Sequence, residues 1–430
     1  MKSIFIKIIL ALVTAVMTVT APFNNVKAPE DKSGFVPVIR FTVASDTHIQ
    51  AAGFERTQRM QKVMSLAYND AQQDENYKRV DAFLWAGDLT DQGYKVQFLN
   101  FLGTVKSMKK DETQLLAVLA KSHDGYTMEN GTQEYFTDIT GQPTDFHEVI
   151  NGFHFIGLSA SHIKDEHYST YQREWLKEEL AKAAADDPQK PIFVMQHEHV
   201  KDTVYGSFEE DGWGMDYFRD ILNEYPQIVD FSGHSHYPLN DPRSVWQGEF
   251  TAVGTGALKY AEFTVDGERT VHPDGYKKIA QSWIVEVDKD NTVRLRGFDN
   301  LTGTLLCEYF IKNPADINAR QFTPAQQKSI SSAPVFNEGA KLTAKKIAGK
   351  YKITAPAAES TDGFPVFLYR FYIYDKDGNL TETKWVLNNY WKSETYESIT
   401  EKFEAEKGFT VKFTAENAYG MKSAELEITL

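Results

Sequence analysis

Five short segments carry side chains whose types and order could do chemistry. They are Ser45-Asp46-Thr47-His48, Gly87-Asp88-Leu89-Thr90-Asp91, Ser122-His123-Asp124, Gln196-His197-Glu198-His199 and Gly233-His234-Ser235-His236. Carboxylate and imidazole together, with no thiolate, suit Mn, Fe, Zn or Ni. A carboxylate shared between two cations can hold them about 3.5–4 Å apart, the separation used for in-line displacement at phosphorus. A lone D-x-H or G-H-x-H is usually only a polar turn. What gives the five segments meaning together is that each follows an apolar run.

Those runs are the elements that must position the segments. Val36 to Val43, Ala82 to Ala86, Leu115 to Leu119, Ile192 to Met195 and Ile228 to Phe231 read as strands buried on both faces. Thr170 to Ala185 and Met215 to Glu224 have the spacing of amphipathic helices, the second stopped by Pro226. Strand and helix in alternation predict an α/β domain with its site at the strands' carboxyl ends. Phe153 to Leu158, Ser282 to Val287 and Thr292 to Gly297 add strands, which points to a two-sheet core with antiparallel edges.

In order and in strand context, residues 36–312 resemble the calcineurin-like metallophosphoesterases, whose motifs run D-x-H, G-D-x-x-D, G-N-H-D or G-N-H-E, a later His, then G-H-x-H. The resemblance implies a four-layer αββα sandwich with two divalent or trivalent ions between the sheets. It implies that Asp46, His48 and His236 bind the first ion, that Asp88 bridges, and that His197 and His234 bind the second. His123 would stand by the leaving-group oxygen, with Asp124 orienting its ring, and a metal-bound hydroxide would attack a phosphomonoester or phosphodiester. His199 lies one step beyond the matching position and is expected only to support the ligands.

One departure from the family pattern stands at Lys121-Ser122-His123, where the relatives have G-N-H. The absent asparagine is a metal ligand in the family, and a serine hydroxyl is shorter and a poorer neutral donor. The second ion is therefore expected to be held more weakly, with Ser122 as a weak ligand or substrate contact and Lys121 as a candidate phosphate contact. The competing reading is a degenerate metal-binding protein of the cell surface. Tyr205, Trp213, Tyr237 and Trp246 are candidate walls of the cleft, and Tyr126 to Phe146 a candidate lid. His147, His154, His162, His167 and His272 lack ligand spacing.

The rest of the chain bounds the context. Lys2 and Lys7 precede a twelve-residue apolar run, Ile8 to Val19, too short to span a bilayer and suited to an export signal over residues 1–28. Secretion or a cell-surface location, in a bacterium, is the expectation. The single cysteine, Cys307, excludes an intrachain disulfide or a CxxC metal motif. The net charge of −14 lies almost wholly between residues 29 and 332 and disfavours a nucleic-acid duplex as partner. Residues 313–332 are polar, carry Pro314 and Pro324, and read as a linker. Residues 333–430 are short strand-like runs, and Phe409 to Asn417 resembles the penultimate strand of a fibronectin type III domain. That resemblance implies a second, all-β sandwich, fibronectin- or Ig-like, serving as a spacer or as a surface for a cell-surface or cell-wall ligand. Tyr372 and Trp385 are its expected core aromatics.

Overall fold

In a computed structural model the described residues are 34–125, 132–161, 166–392 and 396–430. The expected export signal, residues 126–131 of the candidate lid and His162 lie outside them. By contact the chain divides into two units. One comprises the described residues up to Leu239 with Ser244–Thr323, the other Asn240–Arg243 with Pro324–Leu430.

The first unit begins with β1 (Pro37–Ala44), α1 (Glu55–Gln73), β2 (Ala82–Ala86), α2 (Lys95–Met108), β3 (Gln114–Val118) and α3 (Thr132–Thr140). The hairpin of β4 (Phe146–Ile150) and β5 (Phe153–Gly157) leads to α4 (Thr170–Asp186) and β6 (Ile192–Met195). A two-residue pair, β7 (His199–Val200) and β8 (Gly214–Met215), precedes α5 (Arg219–Leu222) and β9 (Ile228–Ser232). Two more hairpins follow, β10 (Val245–Gln247) with β11 (Thr251–Gly254), and β12 (Phe263–Val265) with β13 (Glu268–Val271). The meander β14 (Gln281–Asp288), β15 (Val293–Asp299) and β16 (Thr304–Ile311) closes the unit.

Two six-stranded sheets result, in the orders β16-β15-β14-β1-β2-β3 and β10-β11-β9-β6-β5-β4. The strands that carry the motifs are parallel neighbours, β1-β2-β3 in one sheet and β6-β9 in the other. Ile39, Phe41 and Val43 of β1 face Phe155, Phe193 and Phe231 across the gap between the sheets. The Phe41 ring alone meets those three at centroid distances of 5.1, 4.7 and 6.2 Å. On the far side of the first sheet, Phe83 and Trp85 pack with Met60, Val63, Met64 and Ala67 of α1 and Phe98 and Phe101 of α2. On the far side of the second, Ile156, Ile192 and Val194 pack with Leu176 and Leu180 of α4. Burial on both faces explains why these strands read as unbroken apolar runs.

The helix expected over Met215 to Glu224 is reduced to Arg219–Leu222. The Lys201 amide bonds to the Met215 carbonyl at 2.9 Å, and this pairing holds the chain before Phe218 extended. By contrast α4 starts where expected, because the Ser169 hydroxyl caps the Gln172 amide at 3.1 Å while the Gln172 side chain returns to the Ser169 amide.

The second unit contains α6 (Pro324–Ile330), then β17 (Thr343–Ile347), β18 (Lys350–Pro356), β19 (Val366–Tyr374), β20 (Leu380–Leu387), β21 (Ser398–Phe403), β22 (Thr410–Asn417) and β23 (Leu426–Thr429). They form antiparallel sheets of three and four strands, ordered β17-β18-β21 and β20-β19-β22-β23. Both sheets supply one core, with Ile353, Ile399 and Phe403 from the first and Tyr369, Phe371, Val411 and Phe413 from the second. Tyr372 and Trp385 are not in that core, against expectation. Strand alternation sends Tyr369, Phe371 and Ile373 inward, leaving Tyr372 half-buried on the other face of β19. Trp385 is half-buried too.

Candidate metal centre

The loops leaving β1, β2 and β3 meet those leaving β6 and β9 at one edge of the sheet–sheet interface. Pairing continues past the strand ends: the Asp46 amide donates to the Gly87 carbonyl at 3.1 Å, His48 to Asp88 at 2.9 Å, and Gly233 to His197 at 2.8 Å. The chain then turns sharply. Asp46, His48, Asp88, His234 and His236 all adopt left-handed backbone conformations, with φ between 45° and 74°. Such conformations are unfavourable for residues with a side chain, and their concentration here marks a place where ligand direction outweighs backbone comfort.

Two glycines let the loops close. Gly87 has φ +81°, and a Cβ there would lie 2.4 Å from His197 Nδ1. A Cβ at Gly233 would lie 2.5 Å from Ser45 Oγ and 2.7 Å from Asp46 Oδ2.

The side chains converge on two overlapping cages. Asp46, His48, Asp88 and His236 offer ligand atoms all within 4.8 Å of one another, and so do Asp88, His197 and His234. Asp88 belongs to both. His236 Nε2 is 3.0 Å from Asp46 Oδ1, and Asp88 Oδ2 is 3.5 Å from Nε2 of both His48 and His197. His197 donates Nδ1–H to the Ala86 carbonyl at 2.8 Å, which turns the Nε2 lone pair toward the cage. Among the described residues, Asp46 Oδ1 is buried and makes no well-aligned hydrogen bond, although His236 Nε2 stands 3.0 Å away. A buried carboxylate oxygen facing imidazole nitrogens in this way is what a cation would satisfy. The donor set fits divalent metal: Asp46, His48, Asp88 and His236 would hold an ion, and Asp88, His197 and His234 offer a second group of donors.

The electrostatics agree. Burial pushes the Asp46 and Asp88 carboxyls up, but His236 beside the first and His197 and His48 beside the second hold both below the usual range. Burial lowers His48 well below the ordinary imidazole value, and burial with the neighbouring His197 takes His234 down to about 4. His197 is the exception: burial pulls its imidazole down, but the Asp88 carboxylate against it holds it well above the ordinary value, so a cation in the second cage would take the place of that proton.

Other expected residues are placed differently. Ser122 donates its hydroxyl to Asp88 Oδ1 at 2.9 Å, alongside the His123 amide at 3.3 Å. Asp124 does not orient the His123 ring. Its buried carboxylate accepts from the amides of Leu89, Thr90 and Ala120 and from the Thr90 hydroxyl, tying the β2 and β3 loops together. The ring is held instead by the Asp91 carbonyl, 2.9 Å from Nδ1, and stands edge-on to His48 with 4.2 Å between centroids. Lys121 donates to the Glu166 carbonyl. His199 is fully buried between two hydroxyls, Ser232 at 2.8 Å and Ser235 at 2.7 Å, and so braces the loop that carries His234.

Of the candidate cleft aromatics, Trp213 lies 5.0 Å from the His234 ring. Tyr205 and Tyr237 are buried against each other, and Trp246 belongs to the core beneath α4. Sequence reasoning passed over Tyr260, whose ring lies 4.2 Å from that of His236. It also passed over Arg56 and Lys259, which pair with Asp91 at 2.6 and 3.5 Å. None of these sits in a motif, so spacing offered no signal. His147 and His154 lie elsewhere, in a hydrogen-bonded chain with Glu179 and Asp186.

Comparison with known proteins agrees with this geometry. Residues 39–238 match the family model of the calcineurin-like phosphoesterases. The match and the buried His/Asp cluster support a calcineurin-like metallophosphoesterase domain, a hydrolase, in this part of the chain. A curated relative, a probable cyclic nucleotide phosphodiesterase of Rhodococcus erythropolis, is 28% identical over 203 residues, which are 45% of this chain and 63% of the relative. The chain thus spans less than two thirds of that relative's length. Among solved structures it is similar to a purple acid phosphatase from yellow lupin seeds (12% identical, 65% of this chain and 54% of that one, TM-score 0.46). It is also similar to the anchor protein of the Plasmodium inner membrane complex (14% identical, 64% of this chain and 89% of that one, TM-score 0.41).

Proposed function

We propose that the protein is an exported, metal-dependent phosphoesterase that hydrolyses phosphomonoesters or phosphodiesters at a dinuclear centre. The observation that carries the reading is the pair of cages sharing Asp88, with a buried Asp46 oxygen that faces imidazole nitrogen without a well-aligned hydrogen bond. Two cations held there would neutralise phosphoryl charge and acidify a water molecule. The chain's own residues do the rest. Asp46 and Asp88 stay ionised, and the left-handed turns aim the ligand side chains inward. His123 spends Nδ1–H on the Asp91 carbonyl, so proton exchange with the leaving group runs through Nε2. Arg56 and Lys259, gathered on Asp91, keep positive charge beside that histidine.

The same reading extends to what lies beyond the site. The basic and apolar leader supports export, and the two sheets around one core support a fibronectin- or Ig-like sandwich at the C-terminus acting as a spacer or a ligand-binding surface. One observation favours the competing reading of a weakly active metal-binding protein: Ser122 donates a hydrogen bond to the shared Asp88 carboxylate and so draws on its charge.

One experiment separates the two. Purified protein is analysed for bound metal and assayed on aryl phosphate mono- and diesters, beside Ser122→Asn and His123→Ala. Metal-dependent turnover in the wild type, reduced about 10²- to 10⁴-fold in His123→Ala, is expected. Turnover seen only in Ser122→Asn would overturn the enzyme reading, and equal turnover in wild type and His123→Ala would overturn the role of His123.

A further inference from the structure

Beside the centre stands a group of partly exposed rings. Tyr260 lies 4.2 Å from the ligand ring of His236, and its edge meets His272 and Tyr276 at 5.3 and 5.7 Å. His272 and Tyr276 stack on each other at 4.4 Å with 21° between planes. Tyr260 and Tyr276 are partly exposed, and His272 is exposed. Aromatic side chains stacked in contact with solvent, beside a catalytic ligand, are poorly explained as packing.

The group is built rather than incidental. The β12–β13 hairpin brings Tyr260, just before it, next to His272, just after it, with Phe263 paired to Val271 at its base. The Glu262 amide bonds to the His236 carbonyl at 3.1 Å, and the Ala261 amide to the Tyr276 carbonyl at 2.9 Å. Arg59 of α1 gathers the carbonyls of Leu258, Lys259, Lys277 and Ile279 with one guanidinium, clamping both ends of the segment. The segment also reaches the leaving-group side, because Lys259 pairs with Asp91, whose carbonyl holds His123.

We propose that Tyr260, His272 and Tyr276 form the leaving-group subsite of the centre, and that it takes phosphoesters whose alcohol portion carries a planar aromatic or heteroaromatic ring. The proposal rests on the reading of the centre as a phosphoesterase site. A flat ring laid on the exposed part of the platform would share it with the Lys259 and Lys277 ammoniums, which stand 5.3 and 5.2 Å from the Tyr260 and Tyr276 ring centres, while the phosphoryl end reaches the cages. Such stacking is worth about fivefold to tenfold in affinity. An alkyl group of similar length gains less, having no π-face.

The test is equilibrium binding, free of turnover. The dissociation constants of phenylphosphonate, methylphosphonate and inorganic phosphate are measured by calorimetry on the manganese-loaded full chain, in the wild type, Tyr276→Leu, Tyr276→Phe and His272→Ala. The wild type is expected to prefer phenylphosphonate to methylphosphonate about tenfold. Tyr276→Leu and His272→Ala are expected to narrow this below about threefold, and Tyr276→Phe to retain it. A ratio cancels any general loss of metal or fold, since that weakens both ligands alike. Phosphate binding without discrimination between the phosphonates, or an undiminished ratio in Tyr276→Leu and His272→Ala, overturns the subsite alone. Failure of all three anions to bind the loaded wild type overturns the phosphoesterase reading with it.

Discussion

Replacing Gly87 with alanine would set a methyl group 2.4–2.6 Å from three atoms of His197, including ring atoms Nδ1 and Cγ. Two costs follow. A side chain held at φ +81° loses about 1–2 kcal/mol to left-handed strain. The imidazole must also swing away, giving up its hydrogen bond to the Ala86 carbonyl and leaving buried groups unpaired, for about 1–3 kcal/mol more. Gly141 provides the control: its φ is +74° and nothing lies within 4 Å of a Cβ there, so Gly141→Ala carries the backbone cost without the clash. Gly87→Ala is therefore expected to destabilise by about 2–5 kcal/mol and Gly141→Ala by about 1–2. Because His197 is a ligand of the second cage only, the functional consequence is selective. The second cation should bind at least about tenfold more weakly, the loss seen when even an outer partner of a ligand is removed, while the first is retained. Metal stoichiometry after dialysis against graded chelator, with denaturant melts, reads both effects. If Gly87→Ala keeps two cations at wild-type affinity and loses no more stability than Gly141→Ala, the packing argument for this turn is wrong.

Three further outcomes are expected. His199→Ala removes the brace between Ser232 and Ser235 and should weaken metal binding about 10- to 100-fold, seen by competition with a chromogenic chelator; unchanged affinity would deny His199 a positioning role. Asp230 is fully buried with Gln196 as its partner, and burial pushes its carboxyl up to about 7. The folded state therefore holds a proton that the unfolded chain releases near pH 4, and stability falls as pH rises from about 4 to 7. Asp230→Asn should gain up to about 4 kcal/mol at pH 8 and little near pH 4, and an equal gain at both would refute the assignment. Arg296 is buried between Asp70, at 2.6 Å, and Glu286, at 3.1 Å; Arg296→Met leaves Glu286 its bond to Arg40 at 2.7 Å but takes the guanidinium from the buried Asp70, and should cost about 3–5 kcal/mol in denaturant melts, against near-neutrality if the pair is dispensable.

Much of the framework is legible in the chain because its signals are local. Ala82–Ala86 and Ile192–Met195 are bounded apolar runs, and both are strands to the residue. The α4 capping box is spelled by Ser169 and Gln172, three positions apart. Even α1, passed over in reading the chain, carries its apolar face openly in Met60, Val63, Met64 and Ala67. The helix at 215–224 misled because Gly214 and Met215 pair with a strand far enough back that no local pattern announces it. The motifs named their ligand types for the same reason, since a carboxylate or imidazole is a property of one residue. What a side chain does with its second partner is not. Asp124 turned to three backbone amides and a threonine instead of His123, and Lys121 to a carbonyl, because buried donors and acceptors pair with whatever the fold brings nearest. Tyr260, Arg56 and Lys259 reached the centre from unremarkable stretches of sequence for that reason too. The sequence by itself determined the strands, the ligand types and their order; the tertiary structure decided which polar atom faces which, because hydrogen bonds and charges act through distances in space that the order of residues does not contain.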